Sequence, residues 1–394
     1  MPTRHTTHHR RELRWETGPA PLPPAEDPQR RSIPRAPAVT GGGPSVRCAR
    51  HGDGTRAGLR DNSCGNTCNR ARNNARNDGR NNGRNRARAH TSAKAYDMSS
   101  AVTLTLKETI DGRVVADAIA ADRFATLSAA EIARLPIWLT RHSSPSALAD
   151  ATGGEADRAT RGPDQQCVEL GDLFSVRGER SAVLRVQGNL GNFDAIGTAM
   201  TGGTISIDGN AGRELGRAMA GGTIAVHGNV GDDAGLAMAG GALLVWGSAA
   251  DRVGGALPGA SRGMTGGEIF VRRDVGRDAG TAVRRGLIVV GGDTGDGTAR
   301  GMIAGTVLVM GTATGSVGLW NKRGTVIALG GAAVPATYRY ACTYRPPVLR
   351  VIFAYLRRAH GVPVDDRYIN GRYARYCGDL SEVGKGELLL WTDS

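Results

Sequence analysis

Apolar residues in the second half of the chain recur two apart inside a longer beat of nineteen. The stretch "GRAMAGGTIAVHGNVGDDAGLAMAGGALLVWGS", Gly216 to Ser248, says nearly the same thing twice, 19 residues apart. With the Gly that closes each bend as a marker, the series runs Gly203, Gly222, Gly241, Gly267, Gly286, Gly305, Gly324, at spacings 19, 19, 26, 19, 19, 19. The 26 is a 19 with a seven-residue insertion around "GGALPGASRG". A less regular unit on "AVLRVQGN" precedes the series, giving about eight coils from Ser181 to Gly331. A fixed period near twenty predicts a solenoid.

The columns predict its cross-section. Two after the marker stand Ile205, Ile224, Leu243, Ile269, Ile288, Val307 and Val326; four after it stand Ile207, Val226, Val245, Val271, Val290, Val309 and Ala328. Apolar, mostly β-branched residues two apart form one face of a strand. Seven after the marker, small polar residues and Gly (Asn210, Asn229, Ser248, Asp274, Asp293, Thr312, Gly331) suit a corner at positive φ. Three before it, Met200, Met219, Met238, Met264, Val283, Met302 and Asn321 read as gap-filling core, since Val replaces Met without loss of pattern. The expected fold is all-β: a right-handed parallel β-helix of about eight 19-residue coils with small α/β caps at both ends. A left-handed helix would need an aliphatic every sixth residue, and that pattern is absent.

The outward column at three after the marker starts polar and turns apolar: Ser206, Ala225, Leu244, Phe270, Val289, Leu308, Ile327. An apolar outer face must be covered, by the chain's own C-terminal helix or by another subunit. That helix is expected in "RPPVLRVIFAYLRRAHG", with Leu349, Ile352, Phe353 and Leu356 on one face, Pro before it and Gly361 after it. Tyr373, Tyr376 and Trp391 then form an aromatic tail suited to an interface. Residues 332–394 are thus a helix and interface tail, 181–331 the solenoid and 98–180 its N-terminal cap. In the cap, "VTLTLK" reads as a strand, and Ser128 with Glu131 as a capping box opening a short helix. "VELGDLFSVRG" reads as one strand, and "RHSSPSALADATGGEADRATRGPDQQ" as a loop.

Charge changes how the first quarter is read. The chain carries a net +13, but residues 1–97 hold 19 basic and 8 acidic residues, leaving 31 and 29 for the rest. A nucleic-acid role for the folded body therefore has little support. Residues 1–97, Pro- and Arg-rich and then almost only Asn, Arg, Ala and Gly, are expected to be disordered. Composition favours an over-extended translation start, with normal domain composition from Met98; the alternative is an Arg-rich RNA- or anion-binding tail. Six scattered Cys, no apolar 18-residue run and no apolar leader segment lead to the expectation of a cytoplasmic protein off the membrane.

Catalytic constellations are missing. There is no Ser/His/Asp or Cys/His grouping, and "GDTGDGTARG" lacks the Lys-Ser/Thr of a phosphate loop. Neither Cys64 with Cys68 nor the Met column makes a metal site. Cys342 and Cys377 read as buried structural cysteines, and His227 as a surface residue. Two basic pairs break the pattern: Arg284-Arg285 and Lys322-Arg323 stand at bends 38 residues apart where other coils carry small residues. They are solvated corners or a binding site for an acidic partner or ligand.

The coil "GxxM-x-GG-x-I-x-V-x-GN" resembles a superfamily shared by the C-terminal domain of the glutamate synthase large subunit and the β-helical subunit of formylmethanofuran dehydrogenase. The flanks "LGDLFSV", "TYRYACTYRPPVLRVIFAYL" and "YARYCGDLSEVGKGELLLW" resemble the corresponding β-helical subunit of the bacterial formyltransferase/hydrolase complex, over about Met98 to Ser394. The resemblance implies a non-catalytic scaffold in tetrahydromethanopterin-linked formaldehyde oxidation to formate. Its partners would be amidohydrolase-like, formyltransferase and, in the archaeal relative, molybdopterin-enzyme-like subunits. The complex would use a methanofuran-type carrier and tetrahydromethanopterin, with no cofactor on this chain. The later coils' outer face and the aromatic tail would be the docking surfaces. The rival is a stand-alone glutamate synthase-type domain in nitrogen metabolism.

Overall fold

The computed structural model describes residues 100–140 and 165–392. The expectations for residues 1–97, and for the loop up to residue 164, lie outside the described residues. Among the described residues seventeen strands form: β1 Val102–Leu106, β2 Arg113–Val115, β3 Pro136–Thr140, β4 Gln165–Glu169, β5 Phe174–Arg177, β6 Val183–Gln187, β7 Phe193–Asp194, β8 Thr204–Asp208, β9 Thr223–Val226, β10 Ala242–Val245, β11 Glu268–Val271, β12 Leu287–Val290, β13 Thr306–Val309, β14 Thr325–Ala328, β15 Arg339–Tyr344, β16 Arg372–Gly378 and β17 Gly386–Thr392. The helices are α1 Ala121–Phe124, α2 Ala129–Ala133, α3 Leu170–Leu173, α4 Pro347–His360 and α5 Asp366–Asn370.

A 13-stranded mixed sheet runs β15-β16-β17-β14-β13-β12-β11-β10-β9-β8-β6-β1-β5. Its middle is parallel and keeps the 19-residue register: Ile205, Ile224, Leu243, Ile269, Ile288, Val307 and Val326 stand side by side. That column and the one two residues on are fully buried. A second column of single parallel bridges links Leu190, Ala211, Val230, Ala249, Val275, Thr294, Ala313 and Ala332. Each repeat thus gives one strand to the sheet and one short extended piece to the second column, with the aliphatic core between.

The insertion leaves this frame intact. In a regular repeat Met219 N bonds Gly216 O at 3.1 Å; in the long one Met264 N bonds Gly254 O at 3.0 Å. The same turn is closed with seven extra residues looped out of it.

Neighbouring repeats are coupled through Met and Gly. A Cβ on Gly222 would lie 2.8 Å from Met200 Cε, and one on Gly241 2.6 Å from Met219 Cε. Both glycines also have φ near +84°. Each Met fills the space its neighbour's Gly vacates, which explains why the two columns repeat together.

Contrary to expectation, the corner column does not turn through positive φ. Among its seven members only Gly331 has positive φ. The polar residues are there for a ladder: Asn210 Oδ1 accepts from Asn229 N (2.8 Å), Asn229 Oδ1 from Ser248 N (2.9 Å), Asp274 Oδ1 from Asp293 N and Asp293 Oδ1 from Thr312 N (both 2.8 Å). Asn229→Ala is expected to cost about 1 kcal/mol, read as a lower urea midpoint at unchanged m-value. Water reaches this exposed corner, so a loss several times larger would contradict the assignment.

Both ends of the repeat are closed by other strands. At one end β1 joins β6 in parallel and β5 joins β1 antiparallel. At the other, β17 joins β14 in parallel, then β16 and β15 follow antiparallel. The Ser128–Glu131 capping box forms as expected. "VELGDLFSVRG" is not one strand: the single turn α3 splits it into β4 and β5, which belong to different sheets. Glu169 and Asp172 cap that turn. Gln165 and Gln166, at the end of the expected loop, open β4 instead.

Candidate functional site

The outer face of the large sheet divides as the polarity gradient predicts. Ser206, Ala225 and Leu244 are half-buried, whereas Phe270, Val289, Leu308 and Ile327 are buried. The cover is the chain's own helix α4. Pro347 starts it, and Gly361 at φ 63° ends it. Leu349, Phe353 and Leu356 are buried, while Ile352 is only half-buried at the margin. Tyr355 Oη donates to Glu268 Oε2 at 2.5 Å, and His360 Nε2 lies 3.5 Å from the same oxygen. The His360 ring stacks on Phe270, centroids 5.6 Å apart and planes 6° apart. Burial alone would raise the Glu268 carboxyl, but the bonds from His360 and Tyr355 prevail and hold it below the usual range.

The later coils' outer face is therefore not free to dock a partner. Of the expected aromatic tail, Tyr376 is half-buried with its ring edge-on to exposed Tyr340, centroids 5.7 Å apart, and the other two residues are packed inside the chain. Tyr373 is fully buried and donates from Oη to Tyr368 O at 2.7 Å, while Trp391 is half-buried with its ring 4.9 Å from that of Tyr368. These aromatics pack β16, β17 and α5 together.

The two basic pairs stand where the repeat places them, just before β12 and β14. Arg284 N and Lys322 N each donate at 2.8 Å to the Met carbonyl of the preceding repeat, Met264 and Met302. Two repeats separate the pairs, about 10 Å at the strand spacing. Arg285, Lys322 and Arg323 are exposed and Arg284 is half-buried. Lys322 Nζ lies 3.8 Å from Glu382; the other three have no ion-pair partner among the described residues. The arginines in the turns that precede the Met column are different. Arg252 bonds Asp233 at 2.6 and 2.8 Å, Arg277 meets Asp251 at 3.3 Å, and Arg300 meets Asp278 at 3.3 Å.

Two polar centres had no signal in the sequence. Buried Asp194 accepts from Arg113 Nε and from Arg213 N, both at 2.7 Å, tying β2 to the repeat. Buried Asp379 accepts from Ser381 Oγ (2.7 Å), Ser381 N (2.8 Å) and Trp320 N (3.0 Å). Burial would raise its carboxyl, yet these bonds hold it below its ordinary range. Asp194 draws its partners from far along the chain. Asp379 forms a local Asp-x-Ser turn with Ser381, and only its bond from Trp320 N crosses to a distant segment, which no local pattern announces.

His227 is exposed, stacks on Trp246 with centroids 5.1 Å apart, and lies 3.4 Å from Asp208. Among the described residues, Cys167, Cys342 and Cys377 are free, and no group of three or more His, Cys, Asp or Glu could hold a metal ion. Cys342 and Cys377 are not the buried pair expected: Cys342 is exposed on the outermost strand β15 and Cys377 is half-buried on β16. No described helix is long and apolar enough to cross a membrane.

Comparison with protein-family models and with curated proteins finds no match. Among solved structures, the chain is similar to one in the X-ray crystal structure of the formyltransferase/hydrolase complex (FhcABCD) from Methylorubrum extorquens in complex with methylofuran. Identity is 30% and the TM-score 0.62, covering 74% of this chain and 100% of that one.

Proposed function

This chain belongs to a subunit family of the formyltransferase/hydrolase complex, and on that premise we propose that it serves as the β-helical member of the complex, a non-catalytic scaffold. The observation that carries the reading is the match along the whole length of a chain from that complex. It favours this role over a glutamate synthase-type domain. Two parallel columns in 19-residue register support the right-handed parallel β-helix expected for the scaffold. The chemistry falls to the partners: amidohydrolase-like, formyltransferase and molybdopterin-enzyme-like subunits. They pass a formyl group between tetrahydromethanopterin and a methanofuran-type carrier and release formate in the cytoplasm. The neighbouring complex was solved with methylofuran, which supports that carrier for the complex.

On this reading Arg284, Arg285, Lys322 and Arg323 bind an acidic carrier side chain or partner surface. Three of the four lack a counter-charge among the described residues, which supports the assignment. Replacing all four with Ala in the full chain is expected to weaken assembly or raise the KM for the carrier by about tenfold. Unchanged assembly and unchanged turnover would dismiss the site. The scaffold role itself is tested by reconstitution: the chain alone should have no hydrolase or transferase activity, and omitting it should abolish assembly of the others.

A further inference from the structure

Helix α4 spends one face on the sheet and leaves a second apolar stripe in solvent. Val348 is 55% and Val351 70% exposed, and Tyr355, next along the same face, is 41% exposed. The strand that feeds the helix is open too. β15 stands at the end of the sheet order, so its outer edge is unpaired among the described residues, and Arg339, Tyr340, Ala341 and Cys342 are all exposed. An apolar stripe beside an open strand edge is an aggregation liability unless something covers it.

Charge indicates what covers it. Residues 297–364, which include β13, β14, β15 and α4, hold eight Lys and Arg and no Asp or Glu. The rest of the body, 98–296 and 365–394, holds 23 basic and 29 acidic residues. Arg345, Arg350 and Arg358 rim the stripe, all exposed and without an ion-pair partner among the described residues. Arg339 and Arg357 are already bonded within the chain. A second copy of this chain would set one arginine rim against another, which is repulsive. A polyanion would satisfy the rim but leave the valines and the strand edge in water.

We propose that this face of α4 and β15 is where another subunit of the complex docks, through a surface apolar at its centre and rimmed by carboxylates. The inference rests on the complex-subunit reading above and gives it a location. The opposite polarity of the rest of the body would orient the encounter and resist docking elsewhere.

The test uses the full chain co-expressed with the other subunits of its host's complex. The variant carries Arg350→Glu, Val351→Glu and Arg358→Glu; a milder one carries Arg350→Gln and Val351→Ser. Far-UV circular dichroism and thermal melts check that both fold, since all three side chains point to solvent. The charge-reversed variant is expected to bind on the order of 100-fold more weakly and the milder one about tenfold. Wild-type association should slow as salt rises, and the charge-reversed variant should lose that dependence. Variants that fold and assemble with unchanged affinity would overturn the docking surface and leave the complex reading intact. A wild-type homodimer dissolved by the same substitutions would assign the face to a second copy instead. A wild-type chain that recruits none of the subunits would overturn both inferences.

Discussion

Phe353→Ala is expected to cost about 3 to 5 kcal/mol and to loosen α4 from the sheet it covers. Phe353 is fully buried between Leu349 and Leu356 on the inward face of the helix. Truncation leaves a cavity beneath the helix, whose hold on the sheet runs through Tyr355 and His360 at Glu268 and Phe270. Glu268 then keeps two of its hydrogen-bonding partners only if the helix stays. The prediction is a much lower thermal midpoint, dye binding to newly exposed apolar surface, and faster amide exchange in α4 than in the strands beneath. A cost near that of an exposed substitution would mean that α4 is not the cover. Because Glu268 is held below its ordinary range, its clasp on α4 is present above the unfolded-state carboxyl value. It should be lost as pH falls through the lowered one.

Asp194→Ala is expected to cost roughly 3 kcal/mol and to act at the other end of the molecule. Its carboxylate is buried and pairs with Arg113, whose own basicity it raises through the hydrogen bond. Removing it strands that guanidinium, partly buried, and leaves Arg213 N without its acceptor. The N-terminal strands should detach before the repeat melts, giving two transitions where the wild type has one. Double substitution with Arg113→Leu removes the stranded charge and should recover part of the loss. A single undivided transition in Asp194→Ala would show that the cap and repeat are not joined through this pair.

Periodic features of this fold can be read from the chain, and features that depend on one distant pair cannot. The Ile/Val columns, the insertion and the buried Met column all follow from the nineteen-residue beat, because each repeat solves the same packing problem. The gradient from Ser206 to Ile327 announces a covered outer face, and the Pro347–Gly361 signals give the helix that covers it. The corner column is legible as a column but not in its cause. Composition shows small polar residues, but only contacts between repeats reveal that Asn229 receives the Ser248 N–H. The tail differs from its expected role because aromatic content does not distinguish an interface from a core. Tyr373 is buried by β17 and α5, elements that follow or adjoin it in the chain. Asp194 gathers its partners from across the chain and carries no local pattern; Asp379 with Ser381 makes a local turn, but its bond from Trp320 N is not legible from that. As for the candidate site, the basic pairs are visible as breaks in the repeat. The second, outward stripe of α4 is masked by the stronger inward one.

The proposed function makes this chain one subunit among others of the formyltransferase/hydrolase complex. Affinity capture of the tagged full chain from its own host, followed by native mass spectrometry, tests it most directly. The expected result is an amidohydrolase-like subunit and a formyltransferase in fixed stoichiometry with the chain. Recovery of flavin or iron–sulfur enzymes of the glutamate synthase type in their place, or of the chain alone, would contradict it.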